Sequence, residues 1–333
     1  MERFEMVEKC SSKHIIAYFD ILGYKDILGR GLIAESELIM YIDEIVQTVF
    51  RLTKKPLIGR QKLKVFCFSD NFAFCLKIPM EKAIILLLES FVLIMQKLQS
   101  KLLAEFGLFI RGSIVQGNIY ANKNFIFGEG LIKAYDIENE IALYPRVVVE
   151  HSLVREVVNY VRSYSEYRHE LPTVGINERN YNYLFREILY RDTDKANDRN
   201  ADEYDVKTIC IRKDDDNEYF VDFLYELRTV MDAEALVKKK NIESSDDIDV
   251  WPEYYLTLWG ICKTIIDALI DNSNNKSVLT KYLWNCSYIN LFCSENGIEP
   301  PFTFESIQEY AGINLKNAKY KDLAPHLKIP PKE

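Results

Sequence analysis

Two aspartates at the ends of β-forming runs are the residues of this chain whose type and placement most plainly point to chemistry. Asp20 closes the apolar run His14 to Asp20 (HIIAYFD), which is rich in β-formers and followed by a glycine-containing turn, a pattern that predicts a central strand. Asp70 stands at the tip of a predicted hairpin between Lys62–Phe68 and Phe72–Ile78, where Ser69-Asp70-Asn71 supplies the short polar side chains of a tight turn. Taken singly, each aspartate reads first as a turn former. Taken together they say more. If the two β elements are neighbours in one sheet, both carboxylates leave it at the same edge. A carboxylate pair suits Mg²⁺ or Mn²⁺, and ions so held, roughly 3.5–4 Å apart in a two-metal site, clamp a nucleotide's phosphates, activate a ribose hydroxyl and neutralise a leaving pyrophosphate.

The elements that must position this pair follow from periodicity. Between Glu35 and Phe50, Leu38, Ile39, Ile42, Ile45, Val46, Val49 and Phe50 recur at three- and four-residue spacing, which predicts an amphipathic helix. A second helix is expected over Met80 to Phe106, stopped by Gly107. Leu108 to Tyr120 then reads as a strand whose glycines permit bends or close approach, Gly130 to Leu143 as a third helix, and Pro145 to Val149 as a returning strand. The order β-α-ββ-α-β-α-β predicts an α+β fold, a ferredoxin-like or palm-type antiparallel sheet with helices on one face. Beyond it come a helix from Ser152 to Tyr164, a polar variable loop near 165–205, and a hairpin from Thr208–Arg212 and Tyr219–Leu224. Helices around Ala233–Lys240, Glu253–Asp271 and Ser277–Phe292 follow. The expected division is a catalytic domain over 10–228 and a C-terminal helical extension over 229–333, which contains Trp251, Trp259 and Trp284.

Bulk composition bounds the function. The 333 residues are 48% hydrophobic and 28% charged, close to globular averages, so a packed core is expected. A formal net charge of −8 disfavours a nucleic-acid surface, which needs clustered Lys and Arg, but not a small anion chelated by metal. Seven scattered cysteines with no CxxC spacing fit reduced thiols and a cytoplasmic setting. Cys10 with His14 is the one metal-like pair among these and the four histidines, too little for a zinc site. The acidic, polar start Met1 to Lys9 is unlike a signal peptide, and the apolar stretch Ala83 to Met95 is interrupted by Glu89 and too short to span a membrane, so no membrane is expected among the partners.

Phe19-Asp20-Ile21-Leu22-Gly23-Tyr24 resembles the FxDIxGF segment of class III nucleotidyl cyclases, and Phe68-Ser69-Asp70-Asn71-Phe72 resembles their second metal-binding hairpin. Arg111 to Gly117 (RGSIVQG) is similar to their RxGxxxG strand, and Gly128 to Glu138 to their glycine-started helix. The four segments occur in family order over about Lys13 to Val149. The resemblance implies that Asp20, Asp70 and the backbone carbonyl of Ile21 hold two Mg²⁺ or Mn²⁺ ions, and that the turn Leu22, Gly23, Tyr24 faces the phosphates. It also implies a head-to-tail homodimer with sites between two cyclase domains, since one such domain is present.

Departures from the purine cyclases redirect this reading. The positions that supply their ribose Asn and transition-state Arg are Ile132 and Asp136, and neither can do that work. Their adenine-selecting Lys and Asp correspond to Phe66 and Phe125, which offer stacking area in place of hydrogen bonds. FDILGYK, FSDNF, FGEGLIKAYDIENEIALYPRVVV and the late KYLWNCSYIN look like the bacterial group that includes the Pycsar pyrimidine cyclases. That resemblance implies cyclic UMP or cyclic CMP made from UTP or CTP in anti-phage signalling.

An active enzyme then needs another cation near the developing phosphate charge, and Arg111 and Lys133 are the leading candidates, ahead of Arg146. Each also has a structural reading, Lys133 as a solvated helix position and the arginines as partners of buried acids such as Glu138. Tyr24 and Tyr120 are further candidates for base or phosphate contact. Two other functions stay open: a cyclase-like module that binds nucleotide without turnover, and a palm-type cyclic oligonucleotide synthase, whose usual Gly-Gly hairpin Ser69-Asp70-Asn71 lacks.

Overall fold

A computed structural model describes residues 11–24, 29, 31, 34–52, 63–80, 84–122, 124–156, 159, 211–225, 227 and 253–312. The variable loop near 165–205, the helix expected at 233–240 and Trp251 lie outside the described residues.

Among the described residues the chain is an α+β protein built on an eight-stranded sheet. Its strands are β1 (Ser12–Leu22), β2 (Lys64–Phe68), β3 (Asn71–Lys77), β4 (Phe109–Ala121), β5 (Ile126–Phe127), β6 (Val147–Val149), β7 (Ile211–Lys213) and β8 (Tyr219–Val221). The order is β2-β3-β1-β4-β6-β8-β7, with β5 paired to β4 off this path. All pairings are antiparallel except β4 with β6. β1 is central because it is apolar on both faces, as a strand covered on both sides must be.

Alternation along β1 sorts its side chains into two cores. Ile15, Ala17, Phe19 and Ile21 face the helices α1 (Glu35–Leu52) and α2 (Ile84–Phe106), meeting Leu38, Ile42, Phe91, Ile94 and Leu98. Ile16 faces the other way, with Ala73, Cys75, Val115 and Ala134. Ala134 belongs to α3 (Glu129–Asp136), so this short helix lies on the face opposite the two long ones.

Two glycines make that approach feasible. A Cβ on Gly117 would come within 2.5 Å of the Gly130 Cα, and one on Gly130 within 2.7 Å of Ile16 Cδ1. The Ser113 hydroxyl donates to the Ala134 carbonyl at 2.7 Å on the same contact. The third helix was expected to run unbroken to Leu143; instead α3 passes at Ile137 into a π-helical turn, Ile137–Ile141.

The C-terminal helices α4 (Glu253–Asp271), α5 (Lys276–Glu295) and α6 (Phe304–Ala311) share a third core with Leu103 of α2, Phe109 of β4 and Phe220 of β8. Two charged networks hold the β7–β8 hairpin within this arrangement. Arg146 is fully buried, pairs with Asp214 and Asp216, and lies 5.1 Å from the Tyr144 ring centroid, while Trp284 Nε1 donates to Asp214 at 2.7 Å. Arg212 pairs with Asp222 and with Glu295 of α5, each at 2.5 Å. Tyr288 donates to Asp222 in turn. Arg146 therefore pairs with the hairpin acids, not with Glu138 as the sequence suggested. Among the described residues no helix is long and apolar enough to cross a membrane.

Replacing Gly117 with Ala tests the α3 contact. The added methyl meets backbone, which cannot rotate away, so the variant is expected to lose about 1–3 kcal/mol in denaturant unfolding. An unchanged midpoint would show that α3 does not press on β4 there.

Candidate functional site

Strand register brings the candidate residues to one edge. Asp20 lies directly between Asn71 of β3 and Arg111 of β4, all three in register. Side-chain alternation sets Tyr18 and Asp20 on the α3 face, away from the core that takes Phe19 and Ile21. The hairpin tip is tied to the end of β1 by the Ile21 amide, which donates to the Asp70 carbonyl at 3.0 Å. Ser69 takes a left-handed φ of 64° to make this turn. The Asn71 amide donates to the Asp70 carboxylate at 3.3 Å and accepts from the Tyr18 hydroxyl at 3.0 Å.

Tyr18 reports how the acids are grouped. Its pKa is pushed up to about 12, first by burial and then by the negative charges of Glu138, Asp20, Tyr135 and Asp70. Both aspartates therefore act on one phenol. The Tyr135 ring, on α3, meets Tyr18 edge-on at 6.0 Å. Among the described residues no three His, Cys, Asp or Glu side chains gather as a metal cage. A magnesium-type ion shared with substrate phosphates needs only one or two carboxylates, which the Asp20–Asp70 pair fits. Ile21 can add only backbone oxygen, because its side chain is buried in the α1–α2 core.

Glu138 follows Gly130 and Ala134 at four-residue spacing on the helix face that meets the sheet, and there it is buried against Arg111. Arg111 Nη2 lies 2.5 Å from Glu138 Oε1 and 3.8 Å from Asp20 Oδ2. The closer pair is off the line of a hydrogen bond, and the Arg111 Nε is buried without a hydrogen-bond partner. Burial pushes the Glu138 carboxyl above the usual glutamate value, with Arg111 opposing the shift. Lys281 of α5 also reaches this cluster, since Arg111, Asp20 and Glu138 all act on its ammonium.

The other sequence candidates are dispersed. Lys133 is held by Glu150, at 2.9 and 3.0 Å, so it does not serve its own chain's Asp20. Gly23 takes a φ of 82°, as a tight turn after β1 requires, and Leu22 packs against the C-terminal core. The Tyr24 ring is buried in the α1–α2 core, which leaves backbone as what this turn offers.

Phe66 is half-buried opposite Ala73, which pairs with Tyr18, so it sits near the Asp20 edge. Phe125 is exposed and stacks on Tyr120 at 5.7 Å. Tyr120 lies nine residues along β4 from Arg111, roughly 30 Å at strand rise. Phe66 nevertheless packs against the same cluster as Ala121 and Ile126, and Lys64, two residues before it, donates to the Ala121 carbonyl, so β2 and the β4–β5 turn that carries Phe125 meet on one face of the sheet. Ile132 and Asp136 are both exposed on α3.

Tyr18, Asn71, Tyr135 and Lys281 were missed as site residues. Period-two alternation from Asp20 signals Tyr18, and hairpin register signals Asn71. Tyr135 and Lys281 arrive through helix docking, which no local pattern announces.

No family model matches the chain, and no curated protein matches it. A crystal structure of the adenylyl cyclase CyaB from P. aeruginosa is similar to it at 15% identity, over 45% of this chain and 82% of that one, with a TM-score of 0.30.

A double-mutant cycle tests the Arg111–Glu138 pair. Glu138→Ala strands a guanidinium that keeps 18% of its side-chain surface exposed, so the loss should fall at or below the low end of the roughly 3–5 kcal/mol for breaking a buried pair. Arg111→Ala should cost a similar amount, and the double variant clearly less than the two summed. Strict additivity in urea unfolding would show that the two side chains do not interact.

Proposed function

We propose that the chain is a nucleotidyl cyclase, converting a nucleoside triphosphate to a 3′,5′-cyclic nucleotide and pyrophosphate. The observation that carries this reading is the grouping of Asp20 and Asp70, joined through Asn71 and Tyr18, at the edge where β1 meets the β2–β3 hairpin. The resemblance of the segments around Asp20, Asp70, Arg111 and Gly128 to class III cyclases supports it.

In the proposed reaction the ribose O3′ attacks the α-phosphorus. The O3′–P bond forms, the bond to the bridging oxygen breaks, pyrophosphate leaves with that electron pair, and the hydroxyl proton passes to solvent. Two Mg²⁺ or Mn²⁺ ions, when bound, would lower the hydroxyl's pKa and neutralise charge on the leaving group. Asp20, Asp70 and the Ile21 carbonyl would hold them. Arg111, braced by Glu138, stays beside Asp20 and presents positive charge to the same edge. The turn at Leu22, Gly23 and Tyr24 would offer backbone amides to the phosphates.

A pyrimidine triphosphate, UTP or CTP, is the proposed substrate, because Phe66 and Phe125 present ring faces without purine-reading hydrogen bonds. Phe125 lies far along β4 from its own Asp20, so it and Lys133 would serve the site of a second copy in a head-to-tail homodimer. A place in anti-phage signalling is proposed on the motif resemblance alone.

A non-catalytic nucleotide-binding module is the second reading. It is favoured by Ile132 and Asp136 at the ribose and transition-state positions and by the capture of Lys133 by Glu150.

Incubating the full-length protein with each of the four ribonucleoside triphosphates and Mn²⁺ separates the two readings. The enzyme reading expects a cyclic mononucleotide, most from UTP or CTP, and a loss of at least about a hundredfold in both Asp20→Ala and Asp70→Ala. No cyclic product from any triphosphate rejects it, and a linked dinucleotide would point to an oligonucleotide synthase.

A further inference from the structure

Lys281 opens the segment KYLWNCSYIN in the C-terminal extension, a region outside the cyclase-like core and so outside the expected catalytic residues. Its backbone position is fixed by packing. The next residue, Tyr282, sets its ring against Phe109 of β4 at 5.3 Å between centroids. Phe109 is the register partner of Leu22, two residues beyond Asp20, and Leu22 packs against the core that contains Leu283. Farther along α5, Arg212 binds Glu295 at 2.5 Å and Tyr288 donates to Asp222, so the helix is held to the sheet along its length. The end of α5 that bears Lys281 is thereby pressed onto the edge where Asp20 and Arg111 emerge.

The charges there are arranged for an incoming anion. Lys281 is half-buried, and its ammonium makes no hydrogen bond or ion pair within 4 Å among the described residues. It lies near enough to Arg111 for the two like charges to repel. Burial and that repulsion together outweigh the pull of Asp20 and Glu138, so its pKa lies below the usual lysine value. Arg111 is only partly satisfied by Glu138, because its Nε is buried without a hydrogen-bond partner. Two cations brought together in a partly desolvated setting are relieved by a polyanion that both can contact. A carboxylate in place of Lys281 would instead crowd a third negative side chain beside Asp20 and Glu138.

We infer that Lys281 of the C-terminal extension, paired with Arg111 from β4, binds the polyphosphate of the nucleotide at the Asp20–Asp70 edge of the same chain. The extension is then part of the active site and supplies in cis the cation that neither Ile132 nor Asp136 provides. This rests on the cyclase reading above and adds to it the phosphate contact and its source.

The test uses the full-length protein with 3′-deoxy-UTP and 3′-deoxy-ATP, which lack the attacking hydroxyl and so report binding without turnover, beside UMP. Binding is measured by calorimetry in Mg²⁺. Lys281→Ala should weaken the triphosphates about ten- to hundredfold, the size expected for one charge-assisted contact. UMP should change little, and Lys281→Arg should recover most of the loss. Lys263→Ala, an exposed charge on α4, should leave all three unchanged. Thermal unfolding of each variant shows whether it is folded, and Lys281→Gln replaces Lys281→Ala should the latter not fold.

Equal triphosphate binding by wild type and Lys281→Ala overturns the inference and leaves the cyclase reading standing. So does a loss that is the same for UMP as for the triphosphates, since that is the mark of a structural role. Wild type that binds neither triphosphate overturns the cyclase reading and this inference with it.

Discussion

The antiparallel register of β1 between β3 and β4 is the constraint on which the site depends. It places Asp20 beside Asn71 on one side and Arg111 on the other, and the Ile21 amide closes the edge by donating to the Asp70 carbonyl at 3.0 Å. A one-residue slip of β1 would send Asp20 into the α1–α2 core and bring Phe19 to the α3 face. Burial forbids that slip, because Ile15, Ala17, Phe19 and Ile21 on one face and Ile16 on the other are all almost wholly enclosed. The packing that stabilises the sheet is therefore the same packing that aims the acids.

Around that edge the structure places charge sparingly and braces it. Glu138 is buried because it lies four residues beyond Ala134 on the helix face that meets the sheet, where its carboxylate reaches Arg111. The Gly117–Gly130 contact brings α3 close enough for this to happen, and the Ser113 hydroxyl fixes the Ala134 carbonyl on the same face. On the other side, α5 is stapled to the β7–β8 hairpin through Arg212, Asp222, Tyr288 and Glu295, and Arg146 holds the turn of that hairpin through Asp214 and Asp216. The extension and the sheet consequently share a core, with Phe220, Phe223 and Leu224 packed among residues of α4, α5 and α6.

Much of this was legible in the sequence, for physical reasons that also mark the limits. The strand expected over His14–Asp20, the turn at Ser69-Asp70-Asn71 and the helices expected over Glu35–Phe50 and Met80–Phe106 are local patterns of hydrophobic period and turn chemistry, and the structure has these elements at Ser12–Leu22, between β2 and β3, and at Glu35–Leu52 and Ile84–Phe106. The break in the third helix was not legible, since Ile137 to Ile141 carries no proline or glycine to announce it. That Phe66 packs on the same cluster as Ala121 and Ile126, the neighbours of Phe125, was not legible either, because tertiary packing and no local pattern brings β2 to the end of β4. Lys281 reads as an ordinary helix position because its neighbours Arg111, Asp20 and Glu138 lie more than a hundred residues earlier in the chain. The short helix Phe304–Ala311 went unpredicted, although Thr303 and Ser306 form a capping box at its start.

The central claim is that Asp20 and Asp70 present their carboxylates to one point. Anomalous diffraction from crystals grown with Mn²⁺ and 3′-deoxy-UTP measures it directly. The account predicts a manganese peak within coordinating distance, roughly 2.0–2.3 Å, of an oxygen from each aspartate, with the triphosphate beside it. Manganese bound to one aspartate with the other turned away, or no manganese at this edge while nucleotide is bound, would contradict it.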